Sequence, residues 1–123
     1  MKDGLLLFAH GARDSAWARP FEIVTERLRA ARPGTPVIMA YLEFMSPDME
    51  EAAAQLAATG CTRIHVMPLF LGTGGHVRRD VPLLLDRLRE LHKDAIDWQL
   101  HPPLGDQEAV LQAITLACAA VLE

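Results

Sequence analysis

Two histidines and one carboxylate follow apolar runs of this sequence at positions where their side chains could act together. His10 and Glu43 directly follow the first and second apolar runs, and His76 follows the third after a glycine-rich turn. Two imidazoles and a carboxylate suit a divalent first-row metal such as Co, Ni, Fe or Zn. They also suit proton transfer, because imidazole titrates near neutral pH. The three residues are therefore candidates for a metal site, an acid–base site or both.

Each of these residues also has an ordinary structural interpretation. A single histidine at a strand end is more often a capping or surface residue than a ligand, and Glu43 could instead pair with a nearby arginine. Convergence of three such groups at one crevice is what favours the functional interpretation. Of the other histidines, we expect His65 to be structural, His92 to face solvent in a last helical turn, and His101 to lie at most on the crevice rim.

Glycines and arginines accompany the histidines. Gly74 and Gly75 end the glycine-rich turn, where they permit unusual backbone angles and close approach of a ligand. The turn is not a P-loop, because no Gly-Lys-Ser/Thr follows it. Arg13 and Arg78 could bind carboxylates of an anionic ligand through their forked guanidinium groups. A solvated cluster of arginines that includes Arg79 is the alternative.

Strand and helix patterns alternate four times along the chain. The apolar runs at 5–9 and 37–42 are continuous, as expected of strands covered on both faces; a third run covers 64–67, with Pro68 following it, and a fourth at 96–101 alternates like an edge strand. Such alternation favours parallel pairing through right-handed crossovers. We therefore predict an α/β fold: a three-layer, doubly wound parallel sheet of about four strands in the order 2-1-3-4.

The helical patterns predict buried stripes and caps. The first stripe consists of Trp17, Phe21, Val24 and Leu28. The third consists of Val81, Leu84, Leu85, Leu88 and Leu91. The fourth consists of Val110, Ile114, Ala117 and Val121. We expect Ser46 to cap the second helix, with Pro47 in its first turn and Gly60 after its end, and Asp106 to cap the fourth.

The predicted topology locates the chemistry. In a doubly wound sheet, ligands bind beyond the carboxyl ends of the strands at the switch point, which falls here between strands 1 and 3. His10 and His76 follow these two strands, and Glu43 follows the neighbouring strand 2. The sequence therefore predicts that the three side chains share one crevice.

Composition narrows the class of protein. The chain has 123 residues and a mass of 13.6 kDa, which indicates a single domain over 1–123. Twelve Lys and Arg against sixteen Asp and Glu give a net charge of -4, without a basic surface for nucleic acid or for a membrane. Cys61 and Cys118 match neither a disulfide framework nor a zinc motif. We expect a cytoplasmic protein that acts on a small molecule or on another protein.

Three segments carry a family resemblance. They cover 7–14, 41–43, and 66–71 running into 74–82, where Gly-His is followed by Asp-x-Pro. They resemble the single-domain sirohydrochlorin chelatases, class II enzymes that insert cobalt, iron or nickel into a tetrapyrrole without ATP. The similarity spans nearly the whole chain. One departure is Ala12, where many relatives carry a serine.

The resemblance implies roles for individual residues. His10 and His76 match the histidines that hold the metal and take part in its insertion, and Glu43 matches an acidic residue of the same site. From the chemistry of their own side chains and backbone, Arg13, Gly74, Gly75 and Arg78 are expected to bind the tetrapyrrole. No prosthetic group is implied, since the divalent ion is a substrate: Co²⁺ first, with Ni²⁺ or Fe²⁺ as alternatives.

The resemblance also implies an assembly. Larger relatives contain two such domains in one chain, so this chain is expected to form a homodimer whose facing clefts enclose the macrocycle. A non-catalytic carrier of metal or tetrapyrrole with the same fold is the alternative function. A structural module that has lost the chemistry is a third possibility, which the presence of His10, Glu43 and His76 disfavours.

The histidine hypothesis predicts a pH dependence. Protonated imidazole cannot bind metal, so we expect metal insertion to be lost below about pH 6. Initial rates measured across a pH series would check this. An insertion rate that stays constant from neutral pH to well below that value would contradict the hypothesis.

Overall fold

The computed structural model describes residues 1–72 and 74–123; Thr73, in the glycine-rich turn, and the side chain of His76 lie outside the described part. Within it, four parallel strands form one sheet: β1 (Asp3–Ala9), β2 (Val37–Tyr41), β3 (Arg63–Pro68) and β4 (Asp97–Leu100). Their order is β2-β1-β3-β4. The predicted α/β class and strand order are confirmed.

Helices connect and follow the strands. They are α1 (Arg19–Ala31), α2 (Met49–Ala58), α3 (Gly75–His92) and α4 (Glu108–Ala120). Short 3-10 turns precede α1 at Ser15–Ala18, follow α3 at Lys93–Ala95, and precede α4 at Leu104–Asp106. No helix in the described chain is both long enough and apolar enough to span a membrane.

The central strands determine where the strand ends emerge. Leu6 of β1 is in register with Ile38 of β2 on one side and with Val66 of β3 on the other. The three strands run parallel, so their carboxyl ends reach the same edge of the sheet. This edge is where the sequence predicts the site.

The larger core lies between the sheet and the helices α2 and α3. Leu6, Phe8, Ile64 and Val66 point from the sheet into it, and Leu85 of α3 packs against them. Burial of such side chains is the main stabilising contribution in a domain of this size. An ion pair between Arg87 and Glu50 links α3 to α2 at the surface.

A smaller core lies on the opposite face of the sheet, under α1. It contains Leu7, Ala9 and Met39, with Trp17 and Phe21 packed against it. The predicted α1 stripe is therefore correct at these aromatic positions. It is wrong at Val24, which is exposed, while Thr25 is buried and donates its hydroxyl hydrogen bond to a backbone carbonyl within α1.

The start of α2 differs from the prediction. Asp48, not Ser46, is the N-cap: its carboxylate accepts a hydrogen bond from the Glu51 backbone N–H, and the Glu51 side chain accepts one from the Asp48 N–H. This reciprocal pair is a capping box. Ser46 and Pro47 precede the helix. The predicted end is confirmed, since Gly60 follows the helix with a φ of 91°.

The predictions for the last two helices are only partly correct. In α3, Val81, Leu85 and Leu88 are buried as expected, but Leu91 is exposed at the end of the helix. In α4 no residue from Glu108 to Ala120 is buried, so the predicted core stripe of Val110, Ile114, Ala117 and Val121 is wrong for the single chain. Asp106 lies in the preceding 3-10 turn, and α4 begins without a side-chain cap.

The capping box predicts a measurable difference between two aspartates. Asp48→Ala removes the α2 cap and is expected to lower the free energy of unfolding by about 1 kcal/mol. Asp106→Ala, which removes no cap, is expected to change it by less than about 0.5 kcal/mol. Urea denaturation of both variants measures this. Equal losses would contradict the assignment of Asp48 as the cap.

Candidate functional site at the carboxyl edge of the sheet

The structure brings His10 and Glu43 together through their backbones. The Leu42 N–H donates to the Ala9 carbonyl at 2.9 Å, and the Glu43 N–H donates to the His10 carbonyl at 3.0 Å. The pairing of β1 with β2 therefore continues past the strand ends. Both the His10 and the Glu43 side chains are exposed at this edge.

Gly11 makes this junction possible. Its φ is 87°, in the left-handed region where a side chain is strained, and a Cβ at this position would collide with the Glu43 carbonyl oxygen. Only glycine allows the chain after β1 to turn this close to the chain after β2. The backbone geometry therefore requires a glycine directly after His10, whether or not the site binds a ligand.

Phe70 orients the His10 ring. The two ring centroids are 5.0 Å apart with an angle of 69° between the planes, an edge-to-face contact. Phe70 itself is buried and makes a second edge-to-face contact with Phe8, at 5.8 Å. The segment after β3 therefore supports a histidine that follows β1, and the imidazole rests on the core.

Arg13 and Phe44 form a contact that the sequence did not indicate. The Arg13 guanidinium carbon lies 4.7 Å from the centre of the Phe44 ring, in cation–π geometry. Phe44 has a φ of 66° and is exposed. Nothing in the local sequence marks this pair, because its members follow different strands. The alternative in which Glu43 pairs with an arginine is not found among the ion pairs of the described residues.

For His76, the third candidate metal ligand, the structure describes only the backbone. Helix α3 begins at Gly75, with Gly74 as N-cap, so the backbone of His76 lies in the first turn of α3. Its side chain is outside the described part. The described side chains include no group of three or more His, Cys, Asp or Glu that could hold a metal. The ligand set of His10, His76 and Glu43 therefore stays a prediction.

The start of α3 offers room and positive potential. Gly74 and Gly75 are exposed, and a Cβ at either would meet no neighbouring atom within 4 Å. The first N–H groups of a helix carry partial positive charge, which favours an anion nearby. Arg78, one turn into α3, is exposed. Gly74 and Gly75 thus leave open space beside a locally positive helix start.

A small cleft adjoins the site. It has a volume of about 160 Å³, and Phe70, Arg78, His101 and Asp106 contribute to its wall. His101 lies in the wall of this cleft, and its Nε2 is 2.9 Å from Nδ1 of His65. Ligand pockets for drug-sized molecules measure about 300–1,000 Å³. The cleft alone would therefore admit only part of a large ligand.

Apolar side chains surround the same edge. Phe44 and Leu71 are more than half exposed, at 57% and 59%, while Leu42 and Leu69 are half-buried. Exposed apolar groups beside charged ones suit a ligand with a flat apolar face and a polar rim.

Tyr41, at the end of β2, is less suited to acid–base chemistry. Burial and, secondarily, the Glu22 carboxylate raise the pKa of its phenol, which stays protonated at neutral pH.

The chain is similar to proteins of one known family. The family model CbiX matches residues 4–119 of the chain. A sirohydrochlorin cobaltochelatase of Saccharolobus solfataricus is 33% identical over 113 residues, which are 87% of this chain and 86% of the relative. A protein of the same name from Saccharolobus islandicus is 38% identical over 113 residues, with the same coverage.

Solved structures give a consistent result. A putative cobalamin biosynthesis CbiX protein of Marinobacter aquaeolei matches with a TM-score of 0.83 and 28% identity, over 98% of this chain and 97% of the other. The sirohydrochlorin chelatase SirB of Bacillus subtilis subspecies spizizenii, in complex with cobalt, matches with a TM-score of 0.82 and 25% identity. That match covers 98% of this chain but 51% of SirB, so this chain spans about half of SirB.

The glycine at the His10 junction provides a stability test. Gly11→Ala places a Cβ against the Glu43 carbonyl and is expected to destabilise the fold by more than about 2 kcal/mol, since the left-handed conformation alone costs about 1–2 kcal/mol. Gly34→Ala is the matched control, because a Cβ there meets nothing within 4 Å. Thermal unfolding compares the two. Equal melting temperatures would show that the junction tolerates a side chain.

Proposed function

Because the chain belongs to the CbiX family, we propose that it is an ATP-independent chelatase that inserts a divalent metal into sirohydrochlorin. The observation that carries the proposal is the placement of His10 and Glu43 side by side at an open edge with exposed apolar groups. A metal ion and a flat macrocycle could meet there. The names of the Saccharolobus relatives support the same substrate.

Binding of the macrocycle would use the apolar and cationic groups of the edge. Phe44 and Leu71 offer exposed surface to the ring face, and Arg13, held over Phe44, brings a cation beside that surface. Arg78 and the start of α3, with Gly74 and Gly75, would face the carboxylates of the rim. Contacts with the periphery could offset distortion that exposes the ring nitrogens to the metal.

The metal would be held on the same side by imidazole nitrogen and carboxylate oxygen. His10, supported by Phe70, and His76 would bind it as neutral imidazoles, with Glu43 as a further ligand. We propose Co²⁺ as the ion, supported by the cobaltochelatase names of relatives and by the cobalt in the SirB structure. Ni²⁺ and Fe²⁺ suit the same ligands.

The insertion step requires two protons to leave. As the divalent ion forms four bonds to the ring nitrogens, two pyrrole N–H bonds break and both electron pairs pass to the metal–nitrogen bonds. The two protons then need an acceptor. Glu43 is exposed, so it could accept a proton and release it to water, and a histidine that has given up the metal could accept the other.

Assembly and location follow as further parts of the proposal. One chain leaves the outer face of a bound macrocycle in solvent, whereas ligand sites usually bury most of the ligand. Two copies of a chain that spans half of SirB would enclose both faces, so we propose a homodimer. The expected product is sirohydrochlorin that carries a metal, which suggests a role in cobalamin- or siroheme-type biosynthesis. The exposed thiol of Cys118 fits a reducing cytoplasm.

Substitution of His10 tests the chemistry. His10→Ala is expected to lower the rate of Co²⁺ insertion into sirohydrochlorin by about 10²-fold or more, because it removes a ligand and a proton acceptor together. His92→Ala is the control, since His92 ends α3 away from this edge and packs near Trp98. Absorbance of the metallated product measures both rates. A His10→Ala rate equal to that of the wild type in a folded protein would refute the assignment.

The same assay separates an enzyme from a carrier. A chelatase releases several equivalents of cobalt-sirohydrochlorin for each protein chain. A carrier would bind one equivalent of metal or tetrapyrrole and then stop. Repeating the assay with Ni²⁺ and Fe²⁺ would identify the preferred ion.

A further inference from the structure

Three side chains on one face of the sheet form a continuous chain of polar contacts. His65 lies in β3, His101 directly follows β4, and Asp3 begins β1. Nδ1 of His65 is 2.9 Å from Nε2 of His101, and Nε2 of His65 is 3.5 Å from a carboxylate oxygen of Asp3. Both ring nitrogens of His65 are therefore engaged. We call Asp3, His65 and His101 the histidine relay.

The register of the strands explains how the relay is built. Asp3 of β1 is opposite Arg63 of β3, and Gln99 of β4 is opposite His65. Side chains two residues apart on a strand point to the same face of the sheet. His65 therefore has Asp3 as a diagonal neighbour on one side and His101 on the other. Each member of the relay comes from a different strand segment, so only the paired sheet brings the three together.

The Asp3 carboxylate determines which ring nitrogens carry protons. A neutral imidazole has one N–H donor and one acceptor nitrogen. The negative charge of Asp3 favours the proton of His65 on Nε2, the nitrogen that faces it. Nδ1 of His65 is then an acceptor, so Nε2 of His101 must be the donor in the contact between the rings. The other nitrogen of neutral His101, Nδ1, is left without a proton and is a base.

His101 also belongs to the cleft that adjoins the candidate site. Phe70, which supports the His10 ring, lines the same cleft. Among the described residues, the charged groups that share this cleft with His101 are Arg78 of α3 and Asp106 of the turn before α4. A cleft of about 160 Å³ has room for several water molecules. Water there could connect His101 with the edge of the sheet that carries the chemistry.

We propose that His101 is a proton acceptor during metal insertion and that His65 and Asp3 hold it in its basic tautomer. This inference rests on the proposed chelatase function and names a second acceptor beside Glu43. One pyrrole N–H bond breaks, its electron pair passes to the metal–nitrogen bond, and the proton moves through water in the cleft to Nδ1 of His101. The imidazolium donates from Nε2 to His65, which donates to Asp3. The proton passes to solvent after the product leaves.

His101→Gln tests the acceptor. The variant removes the base but retains an N–H that can donate to His65. We expect kcat for Co²⁺ insertion to fall by about 10-fold, less than the roughly 10²–10⁴-fold that a sole general base contributes, because Glu43 remains. KM for sirohydrochlorin should change by less than about 2-fold. The loss should shrink between about pH 6.5 and pH 8.5, because hydroxide becomes available as an alternative acceptor.

Asp3→Asn tests whether the carboxylate acts through His101. The amide can donate to Nε2 of His65, which reverses the relay and places a proton on Nδ1 of His101, so kcat should fall by about 3-fold or more. Combined with His101→Gln, Asp3→Asn should cause no further loss, since a positioning residue has no effect once its base is absent. Asp97→Asn is the matched control, because Asp97 accepts from Arg63 on the same face and should leave kcat unchanged.

Nitrogen-15 NMR of the histidine rings reads the tautomer without any turnover. At about pH 8, where an imidazole is ordinarily neutral, His101 is expected to carry its proton on Nε2 in the wild type and on Nδ1 in Asp3→Asn. Asp97→Asn should give the wild-type tautomer. The signals of His101 are assigned by their loss in His101→Gln, and circular dichroism shows whether each variant is folded.

Three outcomes would overturn the proposal. These are a wild-type His101 with its proton on Nδ1, a wild-type kcat in folded His101→Gln, and a double variant slower than His101→Gln alone. Absence of cobalt insertion in a wild type whose His101 has the expected tautomer would instead reject the proposed chelatase activity and leave the tautomer assignment in place.

Discussion

The parallel pairing of β1 with β2 on one side and β3 on the other is the constraint on which the site depends. Its hydrogen bonds do not stop at the strand ends: the Glu43 N–H still reaches the His10 carbonyl, and the Leu69 N–H reaches the Phe8 carbonyl at 2.7 Å. Three segments far apart in sequence are thereby held at one edge. Gly11 is the position at which this closeness excludes any side chain.

The edge combines a rigid base with an open upper surface. His10 rests on Phe70, which is buried against Phe8, so the imidazole is supported by the main core. Phe44 and Leu71, which follow β2 and β3 at the same edge, remain exposed and so accessible to a ligand.

The predictions that failed share a physical cause. Ser46 and Asp48 are both good N-caps, and the choice between them depends on which backbone N–H groups the folded chain presents. Val24 and Leu91 fit a helical stripe but lie where no other element covers them. Periodicity identifies an apolar side of a helix, but only the neighbouring elements determine which positions on that side are buried.

The sequence by itself determined the alternation of strands and helices, the strand order and the edge where His10 and Glu43 lie. Hydrophobic periodicity is a local property of the sequence, and the rules for connecting parallel strands then restrict the order of the strands and the edge at which they end. Tertiary structure alone decided the Arg13–Phe44 contact, the support of His10 by Phe70 and the exposure of α4. The two side-chain contacts join segments that are distant in sequence, and the exposure of α4 depends on which surfaces the other elements cover. Residue spacing can place strand ends at one edge of the sheet, but it does not specify which side chains touch there or which helix faces are covered.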